Sequence, residues 1–308
     1  MAIVNTAVPI TSALSEQYLE ELVRAYPFCT QKTLTETVFG RQVLALTWGE
    51  GPRKVLFTAA HHANEWITAL VLLKFAEDFA AAMASGGRIF GVDARTIARN
   101  VTIHIVPLVN PDGVDLVVGA ATPEEVALAT RLSENYPEIP FPSGWKADLL
   151  GTDLNLQYPA GWLQAREIKF SQGFTRPGPR DFVGIAPLFQ REAKALAAYT
   201  EQVDPALILA YHTQGREIYW QFEDIEVPGA RTLGEEFARH SGYKLTEAAY
   251  NSSFAGYKDW FIKFFRRPGY TIEAGAGENP LPLSQFDEIY KDNLGILVTA
   301  ATGLPGGT

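Results

Sequence analysis

The sequence predicts an α/β fold, built as a single domain around a mixed, mostly parallel, twisted sheet with helices on both faces. Short segments rich in aliphatic and β-branched residues alternate with longer segments of helical periodicity, a pattern typical of largely parallel sheets. Apolar residues make up 47% of the chain and charged residues 20%, as in proteins with a large core. Neither a repeat nor a low-complexity linker divides the 308 residues, so we expect one domain over 1–308.

The first half of the chain contains helical and strand patterns in alternation. Residues 66–83 are apolar around most of their circumference, which indicates a helix packed against a sheet. Two apolar segments flank the turn Gly49-Glu50-Gly51-Pro52 and predict a hairpin-like pair of strands. The predicted elements of this half are helices at 15–26, 66–83 and 120–132, the two strands around the turn, the second of them at 54–59, and a strand within 100–113.

Residues 134–187 differ from the rest of the chain, because they are rich in Pro, Gly and aromatic residues and have little periodicity. A long irregular stretch inside a compact domain is usually functional. The elements predicted after it are helices at 188–201, 231–240, 257–265 and 285–302, and strands at 206–212, 217–221 and 269–273. The tail at 303–308 is predicted to be disordered.

Charge and cysteine content exclude several classes of function. The chain has 26 Lys and Arg against 35 Asp and Glu, and this net charge of −9 argues against binding to nucleic acid or to anionic membranes. The single cysteine, Cys29, excludes an internal disulfide framework and is expected to be a semi-buried spectator. No window approaches the ~18 apolar residues of a membrane span.

A histidine and a glutamate three residues apart form the first candidate for a metal site. His62 and Glu65 have the spacing that places both side chains on one face of a helical turn, and zinc accepts this mixture of nitrogen and oxygen ligands. The adjacent His61 is a rival, but position 64, three residues on, is Asn64 instead of an acid. A histidine–glutamate pair alone is a weak signal, and a catalytic zinc site needs a third protein ligand.

Two further candidates end predicted strands. His212 ends an apolar strand, and Glu273 ends another, while His62 follows a third. Open α/β sheets carry their chemistry at the carboxyl ends of the strands, so these side chains are expected at one edge. His212 is the candidate third ligand, and Glu273 is the candidate general base, which must not itself bind the metal. His104 lies in mid-strand and is more typical of a core residue, and His240 is given no role.

Five ordered motifs resemble those of the zinc carboxypeptidase family, of which pancreatic carboxypeptidase A is the best-known member, and the similarity covers the chain from about residue 15 to 300. The motifs are His62-Ala-Asn-Glu65-Trp, Asn110-Pro-Asp-Gly113, Gly151-Thr-Asp153-Leu-Asn155, His212-Thr-Gln and Thr271-Ile-Glu273. The resemblance implies a zinc carboxypeptidase-like fold and one zinc ion bound by His62, Glu65 and His212. It makes Glu273 the general base and the later acid. Asp153 would accept a hydrogen bond from the far nitrogen of His62.

The resemblance also assigns Lys146, in place of the family's arginine, to the oxyanion that forms at the scissile carbonyl. An ordinary solvated lysine is the alternative. True carboxypeptidases have an arginine after the Asp-x-Asn motif that clamps the substrate's free carboxylate. Here that residue is Leu156, which leaves Asn155 as a neutral donor, and Asn64 stands where digestive enzymes have another arginine.

Two further residues fall in the family's specificity segment. Lys258 matches the floor of the pocket for the residue after the cleaved bond and suggests an acidic substrate group, although a helix-surface lysine is equally compatible with the sequence. Tyr250 is the candidate for the family's mobile tyrosine, one residue out of alignment.

A bacterial branch of the family, the γ-D-glutamyl-L-diamino acid endopeptidases, acts on peptidoglycan-derived peptides (muropeptides). This chain resembles that branch in the stretches HHANEWIT (61–68), WKA (145–147), GTDLN (151–155), HTQG (212–215), IYW (218–220), AGYKDWF (255–261) and RRPGYTIE (266–273). The absence of the arginine at position 156 is compatible with such a substrate. The several carboxylates of a muropeptide require local cations in the site. The candidates are zinc, Lys146, Lys258, Arg216, Arg266 and Arg267. The alternatives are a metallocarboxypeptidase or deacylase of other small substrates, or an inactive muropeptide-binding relative.

The N-terminal residues lack the pattern of a secretory signal, so we expect a cytoplasmic location. Secretion or wall association would follow if a leader or wall-binding module has been removed. Neither the oligomeric state nor the preference between diaminopimelate and lysine follows from the sequence.

Overall fold

The computed structural model describes residues 2–303 and contains one large sheet. The strands, in chain order, are β1 (Thr30–Glu36), β2 (Gln42–Trp48), β3 (Arg53–Ala59), β4 (Arg88–Ile89), β5 (Val92–Asp93), β6 (Val101–Val106), β7 (Leu207–His212), β8 (Glu217–Tyr219), β9 (Lys244–Thr246) and β10 (Gly269–Glu273). Strands β4 and β5 pair only with each other, and the other eight form the sheet in the order β1-β2-β6-β3-β7-β10-β8-β9.

The centre of this sheet is parallel. Strands β6, β3, β7 and β10 run parallel to one another, and β8 runs parallel to β9, whereas β1–β2, β2–β6 and β10–β8 are antiparallel. The predicted α/β fold with a mixed, mostly parallel sheet is therefore confirmed.

Helices cover both faces of the sheet. They are α1 (Ser12–Ala25), α2 (Ile67–Ser85), α3 (Ala94–Asn100), α4 (Pro111–Val118), α5 (Pro123–Ser133), α6 (Trp162–Ser171), α7 (Arg191–Val203), α8 (Ala230–Ser241), α9 (Tyr257–Phe265) and α10 (Phe286–Thr302). Because side chains alternate along a strand, Val55 and Phe57 of β3 enter the core formed with α1, α2, α8 and α10, whereas Leu56 enters the core formed with α7 and α9. In residues 2–303, no helix has the length and apolar character that crossing a membrane requires.

The prediction of a hairpin around the turn at 49–52 is wrong. Strand β6 lies between β2 and β3 and pairs with both. The connection instead packs on the start of β6, where the N–H of Glu50 donates to the carbonyl of Ala98 at 2.8 Å. A Cβ on Gly51 would overlap the backbone of Asn100, so this close approach requires glycine.

The other differences concern elements with weak signals. Strand β1 was not predicted, because its sequence TQKTLTE is polar and it lies at the exposed edge of the sheet. Helix α6 lies within the stretch that was predicted to be irregular. Helices α3 and α4 and strands β4, β5 and β9 were also not predicted. The predicted disordered tail falls, apart from Gly303, outside the described residues.

Candidate metal centre and active site

Three neighbouring parallel strands bring the candidate site together. Strands β3, β7 and β10 end at the same edge, with Ala59 paired to Tyr211 and His212 paired to Glu273. His212 and Glu273 are the last residues of their strands, and His62 follows the end of β3. The strand order of the sheet thus brings two histidines and a glutamate from distant segments of the chain to one location.

The segment after β3 is a tight turn that orients two polar side chains inward. His62 is the N-cap of a short 3₁₀ turn at Ala63–Glu65, and helix α2 follows directly. The turn is fixed through its own backbone, since the N–H of Ala63 donates to the carbonyl of Lys146 at 2.9 Å and the side-chain amide of Asn110 donates to the carbonyl of His61 at 3.2 Å. These contacts hold the turn in place before any ligand binds.

His62, Glu65 and His212 converge as a metal site requires. The Nδ1 atom of His62 lies 2.9 Å from one carboxylate oxygen of Glu65, and the Nδ1 atom of His212 lies 2.8 Å from the other. The two Nδ1 atoms are 3.2 Å apart, and the three candidate ligand atoms lie within 4.8 Å of one another. Two imidazole nitrogens and a carboxylate around one point form the donor set that Zn²⁺ accepts at a catalytic site. The residues present therefore fit a zinc ion.

Asp153 contacts the opposite side of the His62 ring. Its carboxylate lies 3.2 Å from Nε2 of His62 and also accepts the backbone N–H of Asn155 at 3.1 Å. Burial alone would raise the pKa of Asp153, but His62 and Lys146 more than offset this effect and lower it. An ionised carboxylate at Nε2 keeps the proton on that atom and leaves Nδ1 free to bind a metal.

Lys146 lies beside the same cluster. Its Nζ is 3.0 Å from a carboxylate oxygen of Glu65, and its side chain is 19% exposed. Burial favours a lower pKa for Lys146, yet the charges of Glu65 and Glu273 outweigh it and raise the pKa. Lys146 is therefore a charged, partly enclosed residue and not a solvated surface lysine.

Glu273 lines the cavity together with His62 and His212, and it pairs in register with His212. Burial, followed by the neighbouring Glu65 carboxylate, raises the pKa of Glu273 to about 8. A divalent cation at the cluster would offset the repulsion from Glu65 and favour the ionised form of Glu273. Glu273 is thus positioned to exchange a proton near neutral pH.

A cavity of about 750 Å³ opens over these residues. Asn64, Asn155 and Leu156 belong to its wall, together with Lys258. The amide of Asn64 donates to the carbonyl of Ser143 at 3.0 Å, while its buried carbonyl oxygen has no hydrogen-bond partner within residues 2–303. Asn155 accepts the N–H of Tyr257 at 3.1 Å.

Lys258 is buried in the cavity wall and is not on a helix surface. Its side chain is 5% exposed, and its ammonium contacts the carboxylate of Asp259 and donates to the carbonyl of Gln221 at 2.6 Å. The positive charge of Lys258 is therefore already paired before any substrate binds.

Tyr250 is not brought to the site. The residue is 65% exposed, its hydroxyl accepts the amide of Gln164 at 2.6 Å, and it is absent from the described lining of the cavity.

The three arginines singled out in the sequence also lie elsewhere. Arg216 pairs with Asp292 and Glu288, Arg267 pairs with Asp204, and Arg266 is an exposed residue at the end of α9.

Arg180 was not identified as functional from the sequence, and His61 was named there only as a rival ligand. Arg180 lines the cavity, but it lies in the aperiodic stretch and belongs to no motif. His61 is fully buried, with its ring stacked on His212 at 5.7 Å between ring centres and its Nε2 atom 3.1 Å from the hydroxyl of Tyr158. His61 thus packs behind a candidate ligand and does not join the cluster.

Comparisons with known sequences find related proteins. A sequence model described as zinc carboxypeptidase matches residues 15–295. γ-D-Glutamyl-L-diamino acid endopeptidase 1 of Lysinibacillus sphaericus is 42% identical over 280 residues, which cover 91% of this chain and 69% of the relative.

Solved structures share the fold. Bovine thrombin-activatable fibrinolysis inhibitor superposes with a TM-score of 0.72 at 14% identity, over 96% of this chain and 97% of the other. The murein-tripeptide amidase of Escherichia coli O157 superposes with a TM-score of 0.55 at 17% identity, over 90% of this chain and 93% of the other. At such low identities, these two matches indicate a common architecture only.

Proposed function

Because the chain belongs to the zinc carboxypeptidase family, we propose that it hydrolyses the amide bond between the γ-carbonyl of D-glutamate and the L-centre of a diamino acid in peptidoglycan-derived peptides. Zinc is the cofactor of this family of metallopeptidases, and His62, Glu65 and His212 are the proposed ligands. The substrate is proposed from the 42% identity to an endopeptidase named for that bond.

The observation that carries the substrate proposal is Leu156 in the cavity wall. The resemblance to carboxypeptidases implies an arginine at this position, which clamps the free carboxylate of a C-terminal residue. An aliphatic side chain lacks donors for a carboxylate. Lys258 does not replace the clamp, since its ammonium is paired with Asp259. The site is therefore better suited to a γ-linked amide, whose leaving residue need not present a free α-carboxylate, than to an ordinary α-linked C-terminal residue.

The proposed mechanism assigns proton transfer to Glu273 and charge stabilisation to Lys146. When bound, Zn²⁺ supplies a Lewis acid that polarises the scissile carbonyl and lowers the pKa of water. The carboxylate of Glu273 accepts a proton from the attacking water and then donates it to the nitrogen of the departing diamino acid. The Nζ of Lys146 stabilises the negative charge that develops on the carbonyl oxygen. Asp153 keeps the His62 ring in the tautomer and orientation that metal binding requires.

A substrate panel tests the proposal. Zinc-loaded protein is given L-Ala-γ-D-Glu-meso-diaminopimelate, the matching lysine peptide, and a peptide of ordinary α-linkages with a free C-terminus. We expect cleavage of the γ-linked peptides, with little trimming of the α-linked one. Efficient trimming of the α-linked peptide alone would favour the metallocarboxypeptidase, and binding of the γ-linked peptides without cleavage would favour the inactive relative.

A further inference from the structure

Arg180 is positioned at the cavity wall by hydrogen bonds of its segment and of its side chain. The carbonyl of the preceding Pro179 accepts the backbone N–H groups of Lys146 and Ala147 at 2.7 and 2.9 Å, so Arg180 lies next to the Lys146 segment. The Nε of Arg180 donates to the carboxylate of Asp181 at 2.6 Å, which fixes the plane of the guanidinium.

The terminal nitrogens of this guanidinium are unused. Within residues 2–303, neither Nη atom of Arg180 forms a hydrogen bond, and 40% of the side chain is exposed. The two Nη groups form a planar fork that matches both oxygens of a carboxylate. Asp181 is also bound by Lys169, so it anchors the arginine without occupying this fork.

The other cations of the cavity wall are already paired. Lys146 contacts Glu65, Lys169 contacts Asp181, and Lys258 contacts Asp259. A chain with a net charge of −9 repels an anionic substrate at long range, so a carboxylate that enters the cavity needs a local cation with free donors. Among the four Lys and Arg side chains in the described lining, Arg180 meets this requirement.

We propose that Arg180 binds the α-carboxylate of the D-glutamyl residue, on the acyl side of the cleaved amide. This inference rests on the proposed function. The acyl side is chosen because the Arg180 segment is hydrogen-bonded to that of Lys146, the residue assigned to the scissile carbonyl oxygen. In a γ-linked glutamyl residue, the free α-carboxylate lies a few bonds from that carbonyl. Arg180 is then a specificity residue that recognises the γ-linkage through the carboxylate left free by it.

The test combines variants of Arg180 with a change to the substrate. The tripeptide L-Ala-γ-D-Glu-diaminopimelate is compared with the peptide in which D-isoglutamine replaces D-glutamate, so that the α-carboxylate becomes a neutral carboxamide. We expect Arg180→Gln to lower kcat/KM on the carboxylate peptide by about 10- to 100-fold, as expected for a charged hydrogen-bonded pair. On the carboxamide peptide the same variant should have little effect, because the interaction is already lost.

Two further variants separate recognition from charge and folding. Arg180→Lys keeps the charge without the fork and should recover part of the activity on the carboxylate peptide. Arg176→Gln removes an exposed arginine of the same loop that is absent from the described cavity lining, and it should behave as the wild type on both peptides. Equal losses on the two peptides with Arg180→Gln, or no loss on either, would overturn the inference.

A binding measurement keeps this inference separable from the proposed reaction. Calorimetry of the product dipeptide L-Ala-D-Glu with wild type and Arg180→Gln requires no turnover, and we expect weaker binding to the variant. L-Ala-D-isoglutamine should bind both proteins alike. If wild type fails to cleave the γ-linked peptides, the proposed function fails, but a selective loss of dipeptide binding would still support Arg180. Equal binding of L-Ala-D-Glu to both proteins would contradict it.

Discussion

Glu273 is the residue with the most specific predicted effect, because proton transfer is the only role assigned to it. Glu273→Gln removes the proton acceptor while preserving shape, so kcat should fall by about 10²- to 10⁴-fold, the usual contribution of a general base. Zinc content should be unchanged, as measured by metal analysis of the purified variant. Glu247→Gln is the control, since Glu247 is exposed and absent from the described cavity lining. Retained activity in Glu273→Gln would remove this residue from the mechanism.

A substitution of Asp153 should affect the binding of zinc more than the catalytic steps. Asp153→Asn replaces the anionic acceptor at Nε2 of His62, and loss of such a partner typically weakens metal affinity by about 10- to 100-fold. Competition with a chromophoric chelator measures the zinc affinity, and thermal unfolding checks that the variant is folded. Unchanged zinc affinity in a folded variant would contradict the assigned positioning of His62.

Lys258 and Asp259 should stabilise the folded protein as a buried ion pair. Lys258→Met leaves a buried carboxyl without its partner, and breaking a buried pair in this way typically costs about 3–5 kcal/mol in the free energy of unfolding. The double variant Lys258→Met, Asp259→Asn should be less destabilised, because no unpaired charge remains. Denaturant unfolding of the three proteins measures both effects. Equal stability of Lys258→Met and wild type would show that the ammonium is free for a substrate.

At the level of elements, the loop that holds Lys146 packs against the start of α7 through two buried acids. Asp148 and Glu192 lie together there, and burial is the largest factor that raises both pKa values, that of Glu192 to about 7 from 4.5. A carboxyl with a higher pKa in the folded state binds more protons when folded. The free energy of unfolding should therefore fall as pH rises from about 4.5 to 7.

Glu192→Gln should remove much of this dependence. Relative to wild type, the variant should gain up to about 3 kcal/mol in the free energy of unfolding between pH 5 and 8. Denaturant unfolding at several pH values measures the difference, and Glu201→Gln on the exposed side of α7 is the control. A constant difference across this interval would contradict the raised pKa of Glu192.

Elements with strong local patterns were predictable, and those held by distant contacts were not. The strands that end at His212 and Glu273 are apolar runs with clear bounds, so their ends were located correctly. The position of β6 between β2 and β3 depends on non-local pairing, which a local turn signal does not contain. Arg180 was missed for a related reason, because backbone bonds to the Lys146 segment position it and no periodicity marks it.

For the whole molecule, alternation of strands and helices was sufficient to predict the fold class. The ordered motifs around His62, His212 and Glu273 were sufficient to predict the family. Which cations are available to a substrate was not predictable, since it depends on the pairing and burial of side chains in the folded chain. Lys258 and Asp259 are adjacent, yet their burial in the cavity wall appears only in the folded chain.

The most direct test of the account is the identity of the products formed from L-Ala-γ-D-Glu-meso-diaminopimelate, measured by mass spectrometry with and without a zinc chelator. We predict that the zinc-loaded protein forms L-Ala-D-Glu and free diaminopimelate and that the chelator abolishes their formation. An intact peptide in the presence of zinc, cleavage at the L-Ala–D-Glu bond, or the same products in a metal-free protein would contradict it.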